Sequence, residues 1–317
     1  MRKSRIILLI LFISLSFAVF KAMGEEGNHY IVDQTAVVKD SISDAGSNWS
    51  PIIVTEGVAP ELAAQGAFVS PVAADIDQPC GAGVGMREGL MSYLNSDEVL
   101  FERKTDGRWP IASITKLMTA IVATELGMAK QDFTLTDAMV KTEGDAGGFK
   151  MGELFTGYDL LAAMLLSSSN DAAEAFAQSY GRDAFIRRMN VKAQELRMLS
   201  THYVDPSGLS PLNQSTPSDL YKLAGYLHAT HPDILKVSRQ RKATIVDLNT
   251  NRKRIVTTIN EFAGQATFLG GKTGYIVEAE GNGNLLSVFM HNGQPFTLIV
   301  LGSPDRFGET KTLLKCI

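Results

Sequence analysis

Histidine and cysteine are scarce in this 317-residue chain, which has five of the first, none in a motif, and only Cys80 and Cys316 of the second. Two cysteines exclude a thiolate zinc cluster and a disulfide-built scaffold, so neither a metal nor another cofactor is expected. Export would permit one disulfide if the chain ends met, though two unpaired thiols are the simpler expectation. A surplus of positive charge is also missing. The net charge is −4, which gives no reason to expect nucleic acid or an anionic membrane surface as the main partner. The one basic run, NRKR at residues 251–254, reads as a solvated turn. Internal repeats and heptads are absent, and the chain has one long apolar run.

That run covers residues 6–20, behind Arg2, Lys3 and Arg5 and ahead of Lys21 and the polar EEGN segment. It is at the long limit for a signal-peptide core and short of the roughly 20 residues that span a bilayer. Residues 1–24 are therefore expected to be an export signal. It is either cleaved near Ala22 and Gly24 or kept as an N-terminal membrane tether, which places the protein in the periplasm or extracytoplasmic envelope. Residues 25–81 are rich in Ala, Ser, Asp, Pro and Gly without a sustained period, and read as a linker. Residues 82–317 form the folded domain. Its first part predicts a hairpin, two apolar runs separated by NSDE. Helical periods follow in SITKLMTAIVATEL, in TGYDLLAAMLLSSS with Thr156 and Asp159 as a capping box, and in two segments after Asp171 and Asp183. Thr216 and Pro217 open a further helix to about His228. Three strand-like runs close the chain, at residues 267–276, 284–290 and 296–302. Strands at both ends with helices between predict an α+β fold.

The segment ATFLGGKTGYI, residues 266–276, nearly spells a phosphate-binding loop, with alanine at the first glycine. Such a loop needs a helix directly after it, whose N-terminal amides hold the phosphates. Here TGYIVEAEGNGN follows, where no helix starts comfortably, and the remaining chain is too short for the rest of a nucleotide fold. The other reading of Lys272-Thr273-Gly274 is the third signature of enzymes that attack amides with a serine. That reading demands companions, and both exist. Ser113-Ile114-Thr115-Lys116 places a hydroxyl and an amine on one helical face. Ser168-Ser169-Asn170 breaks two helices, where side chains can point into a cleft. With histidine in no motif, Lys116 is the remaining base for Ser113. Its amine must be lowered from about 10.4, by burial and by a second cation such as Lys272.

These three motifs, in this order on helix, loop and strand, resemble the penicillin-binding protein and serine β-lactamase superfamily. The longer stretches "PIASITKLMTA", "LLSSSNDAAEA", "VDPSGLSPLNQSTPSDL" and "FLGGKTGY" look like its low-molecular-mass penicillin-binding proteins, the D-alanyl-D-alanine carboxypeptidases and their endopeptidase relatives. The resemblance runs from about Gly85 to Lys315 and implies an antiparallel sheet of about five strands flanked by helices, with an all-helical insertion. It implies that Ser113 forms an acyl-enzyme on the terminal D-Ala–D-Ala of a peptidoglycan stem peptide, with Lys116 as base and Ser168 as proton relay. It further implies that Asn170 holds the substrate amide, that Lys272, Thr273 and Arg306 take the terminal carboxylate, and that the N–H groups of Ser113 and Tyr275 form the oxyanion hole. Gly274 is read as leaving room for a substrate backbone. β-Lactam antibiotics are the implied inhibitors.

Two departures qualify the resemblance. Ile276 stands where the carboxypeptidases usually have threonine, and Ser169 where glycine is frequent, which is expected to narrow the cleft. A D,D-endopeptidase cutting cross-links would use the same residues. A β-lactamase of class A would need a deacylating glutamate where this chain has Leu209, and Asp205 and Asp219 have different surroundings. A non-catalytic penicillin sensor would tolerate a missing motif residue, yet none is missing.

Overall fold

A computed structural model describes residues 80–96, 98–144, 147–276 and 283–317. The expected export signal and all but the last two linker residues lie outside them. Among the described residues no helix is long and apolar enough to cross a membrane.

Glu88–Tyr93 (β1) and Val99–Arg103 (β2) form the hairpin expected around NSDE. Trp109–Pro110 (β3) leads through a single tight turn, Ala112–Ile114, into Thr115–Glu125 (α1). All of α1 except its last two residues is buried, so it runs through the centre and is covered on every side. Asp132–Thr134 (β4) pairs with Leu154–Thr156 (β5), and Gly157–Leu166 (α2) follows. The Thr156 hydroxyl accepts from the Asp159 N–H and donates to its carboxylate, which fixes where α2 begins. Asn170–Tyr180 (α3) starts one residue earlier than the sequence pattern placed it, and Arg182–Glu195 (α4) follows. Gln214–Ser215 (β6) pairs with β3, then Pro217–Thr230 (α5) begins at the Thr216 cap with proline in its first turn. Pro232–Ser238 (α6) is followed by the hairpin of Lys242–Asp247 (β7) and Arg252–Thr257 (β8). Phe268–Tyr275 (β9), Gly283–His291 (β10), Gln294–Ser303 (β11) and Arg306–Leu313 (α7) complete the described chain.

The main sheet has the order β2-β1-β11-β10-β9, antiparallel throughout, and the fold is α+β. Its central strands are buried on both faces, so they read as continuous apolar runs rather than an alternation. The two faces nevertheless go to different cores. Leu90, Leu286, Val288, Ile299 and Leu301 join the core built on α1, α2, α3 and α5. Met91, Leu285, Phe289, Leu298 and Val300 join a smaller aromatic core with Phe262, Phe268, Phe296 and Leu313 under α7. A one-residue slip would exchange the two sets, which pins the register.

Cys80 and Cys316 are joined in a disulfide with their Cα atoms 5.7 Å apart, against the simpler expectation of two free thiols. The reason is topological. β1 lies beside β11, so the residue that precedes the sheet and the helix that leaves it finish on the same side. The NRKR run also departs from the expected solvated turn. Asn251 is in the turn, but the three basic residues lie on β8, and the Arg254 side chain is only 17% exposed.

Candidate active site

Ser113 stands in the tight turn ahead of α1, and that turn is held from two sides. A Cβ at Gly274 would sit 2.6 Å from the Ile111 carbonyl oxygen, and one at Gly208 only 1.9 Å from that of Ala112. What approaches Gly274 so closely is the protein's own backbone, so β9 lies directly against the turn that carries Ser113. The turn itself is strained, with Ala112 at φ 48°.

One turn further on, Lys116 has no exposed surface. Its Nζ lies 2.9 Å from Ser113 Oγ, 2.7 Å from Asn170 Oδ1 and 2.6 Å from the Ser207 carbonyl oxygen. Burial lowers its pKa to about 7, and the Asp205 carboxylate opposes that fall. A neutral amine has two N–H groups and one lone pair. Two of its three partners are oxygens that can only accept, so the lone pair falls to Ser113, the one partner with a proton to give. Burial, rather than the second cation, is the leading cause at Lys116. The repulsion registers on the other partner: Lys272 is held well below its ordinary pKa by burial, then by Lys116 and Arg306.

Ser168 occupies the break between α2 and α3 at φ 64°, and its Oγ accepts from Lys272 Nζ at 3.0 Å. Lys272 also donates to the Thr273 carbonyl at 3.0 Å. Asn170 is held at both ends of its amide, accepting from Lys116 and donating to the Glu143 carbonyl at 2.6 Å. Among the described residues, one N–H and one lone pair of this amide have no protein partner. Ser169, expected to narrow the cleft, turns its hydroxyl to the Ala172 N–H as the N-cap of α3.

These groups border a cleft of about 490 Å³ lined by Ser113, Ser168, Asn170, Leu209, Tyr275 and Ile276, with Glu143 at its rim. Lys116, Lys272, Thr273 and Gly274 lie behind that surface. Arg306, at the start of α7, donates to the Gly274 carbonyl at 2.7 Å and borders a neighbouring cavity of about 420 Å³ that shares Tyr275. Every motif residue singled out in the sequence therefore falls in one neighbourhood.

The loop over residues 205–210 was not recognised as part of it. Buried Asp205 accepts from the Ser207 N–H and hydroxyl and from the Gly208 and Ser210 N–H groups. It shapes the loop that presents the Ser207 carbonyl to Lys116, and its oxygens are too fully engaged to activate water. The signal was available in Asp-Pro-Ser-Gly, where aspartate folds the following backbone onto its own side chain. Leu209, at the place of a deacylating glutamate, is 47% exposed and faces the cleft.

Residues 88–305 match the family described as D-alanyl-D-alanine carboxypeptidase. A D-alanyl-D-alanine endopeptidase of Pseudomonas aeruginosa is 42% identical over 139 residues, covering 42% of this chain and 44% of that protein. The Escherichia coli protein of the same name is 33% identical over 232 residues, covering 68% of this chain and 70% of its own. The chain is also similar in structure to penicillin-binding protein D2 of Listeria monocytogenes in its ampicillin-bound form. The TM-score is 0.64 at 26% identity, over 74% of this chain and 98% of that one.

Proposed function

This chain belongs to the D-alanyl-D-alanine carboxypeptidase family, the low-molecular-mass penicillin-binding proteins, and we propose that Ser113 is the nucleophile with which it releases the terminal D-alanine of peptidoglycan stem peptides. The observation that carries the reading is the fully buried Lys116 amine 2.9 Å from the Ser113 hydroxyl, lowered to about 7. In this reading the Ser113 Oγ attacks the carbonyl carbon of the D-Ala–D-Ala bond while its proton passes to Lys116 Nζ. The oxyanion forms against the N–H groups of Ser113 and Tyr275, donors fixed in place before charge appears. Ser168, hydrogen-bonded to Lys272, relays to the departing amine the proton that Lys116 took from Ser113, so Ser168 and Lys116 both end this step as they began. Water then cleaves the Ser113 ester and the second product leaves. Asn170 orients the substrate amide, while Lys272 and Arg306 supply the positive field for the terminal carboxylate and Thr273 donates a hydrogen bond to it. β-Lactams acylate the same serine.

A second reading, cleavage of cross-linked peptides as a D,D-endopeptidase, is favoured by the names of the two relatives above and by Ile276 in the cleft wall. The residues that do the chemistry are the same, and only the room around the leaving group differs. The reading also places the protein outside the cytoplasm. The basic and then apolar start of the chain supports that, as does the Cys80–Cys316 disulfide, a bond that persists in oxidising compartments.

The test is to incubate purified protein with a labelled penicillin and map the adduct. Labelling of Ser113 and none in Ser113→Ala is expected, and equal labelling of the two would refute the mechanism. Free D-alanine from a pentapeptide then supports the carboxypeptidase, and monomers from cross-linked dimers the endopeptidase.

A further inference from the structure

Arg254 is the one member of the basic run that turns away from solvent, and it does so toward residues 147–149. Its Nη1 lies 2.5 Å from the Gly148 carbonyl oxygen and 3.2 Å from that of Gly147. Its Nη2 meets the Glu153 carboxylate at 2.5 Å, and the same carboxylate accepts from the Lys150 N–H. The guanidinium also stacks over Phe149 and Phe155, 5.4 and 4.9 Å from their ring centroids. One side chain of the β7–β8 hairpin thus meets residues 147–149 through two carbonyls and one ring, and Glu153 and Phe155 through a carboxylate and a second ring.

Those residues neighbour the serine-asparagine turn. A Cβ at Gly147 would meet Phe149 at 2.7 Å and reach ordinary contact with the Ser169 hydroxyl at 3.4 Å, so Gly147 is a close neighbour of the cap of α3. From the other limb of the loop, Glu143 holds the Asn170 amide through its carbonyl, and a Cβ at Gly144 would come within 2.9 Å of Asn170 Nδ2. Asn170 in turn holds Lys116. Ser168 beside it keeps a left-handed backbone, a conformation that persists only where its surroundings enforce it.

We propose that Arg254 is a positioning residue of this enzyme. By clamping the 147–149 limb, it sets the placement of Asn170, and through Asn170 that of the Lys116 amine. The inference rests on Ser113 and Asn170 being the working site. A guanidinium suits the task because its planar fork meets carbonyl and carboxylate together while its face lies on the rings, which an ammonium cannot do.

The experiment compares wild type, Arg254→Met, Asn170→Ala and the double variant by their second-order rates of Ser113 acylation with a labelled penicillin, each checked for folding by thermal melting. If Arg254 acts through Asn170, Arg254→Met slows acylation about tenfold, the scale of a sub-ångström misplacement, and the double variant is slower than Asn170→Ala by no more than about twofold. An equal loss in both backgrounds would mean that Arg254 supports the fold alone and overturns the inference, as would a wild-type rate in Arg254→Met. Should Arg254→Met not fold, Arg254→Lys keeps the charge and loses the fork, and a smaller loss with the same non-additivity is expected. A wild-type rate in that variant overturns the inference too. Absence of Ser113 labelling in the wild type would instead overturn the functional reading on which it depends.

Discussion

At the scale of single residues, the site depends on a lysine made basic enough to act yet neutral enough to accept a proton. Lys116 reaches that state by losing water, with the Asp205 carboxylate limiting how far its pKa falls. As a base it must be unprotonated, so acylation of Ser113 is expected to rise with pH through about 7 and level above it. Stopped-flow acylation from pH 5.5 to 9 checks this, and a rate that is flat or falling through that window would remove Lys116 from the role. Lys116→Arg keeps a group too basic to lose its proton and should acylate at least 10²-fold more slowly at pH 7, in line with the typical worth of a general base, about 10²–10⁴-fold. A second buried group shows the linkage in a structural setting. Glu88 on β1 is pushed up to about 7 by burial, with Lys104 opposing, and one of its oxygens has no hydrogen-bond partner among the described residues. A raised folded-state pKa means that the native form holds the proton longer than the unfolded chain does. The stability this brings is complete below pH 4.5 and is lost as pH rises through about 7. Glu88→Gln should therefore melt at a higher temperature than wild type at pH 8, with the difference shrinking at pH 4. A pH-independent difference would show that the carboxyl does not titrate in that range.

At the scale of elements, the nucleophile turn is seated between β9 and the 205–210 loop, and two glycines set the spacing. Gly274→Ala would drive a methyl group into the Ile111 carbonyl 2.6 Å away, and Gly208→Ala would add a strained backbone at φ 82° to a still closer clash. Overpacking of this kind typically costs about 1–3 kcal/mol, and a shift near 1 Å at a reacting group about 10²-fold in rate. Gly274→Ala is expected to lose more acylation rate than stability. A variant that melts lower but acylates normally would show that the strand does not set the serine's position. This contact explains why the glycine of Lys-Thr-Gly was legible as necessary while its reason was not. A sequence shows that a side chain is missing, not which backbone fills the space. The helices were legible from their caps, as at Thr156 and Thr216, because capping is decided within four residues. The β7–β8 hairpin escaped notice because Lys242, Arg252, Lys253 and Arg254 break the apolar signal that marks a strand. Arg254 meets the Gly147 and Gly148 carbonyls across more than 100 residues of sequence, a contact no local pattern shows. The Ser207 carbonyl escaped for a different reason, since a backbone acceptor leaves no trace in residue type.

At the scale of the whole molecule, the sheet is the part that brings distant motifs together. Ser113 precedes the central helix, Ser168 lies in the break between two others with Asn170 opening the second, and Lys272 comes from an edge strand. Their meeting depends on β9 pairing with β10 and β10 with β11. The same sheet places the first strand beside the last, and the Cys80–Cys316 bond then closes a loop of 236 residues in sequence separation. Closing so long a loop removes conformations chiefly from the unfolded chain, and loss of a native disulfide typically costs about 2–5 kcal/mol. The bond sits at the smaller aromatic core under α7, against which Cys80, Phe307 and Leu314 pack, whereas Lys116 lies on α1, whose apolar residues belong to the larger helical core. Stability and chemistry should therefore separate. Reduction, or Cys316→Ser, is expected to lower the unfolding midpoint in urea by the equivalent of about 2–5 kcal/mol while leaving Ser113 acylation in the folded protein within about twofold of wild type. Because α7 also carries Arg306, the steady-state constant for a carboxylate-bearing substrate is the sensitive readout of any leak between the two cores. A rise in KM at unchanged acylation by penicillin would mean that the bond also holds Arg306 against Gly274. An unchanged midpoint after reduction would mean that the covalent link adds nothing to what the sheet already holds.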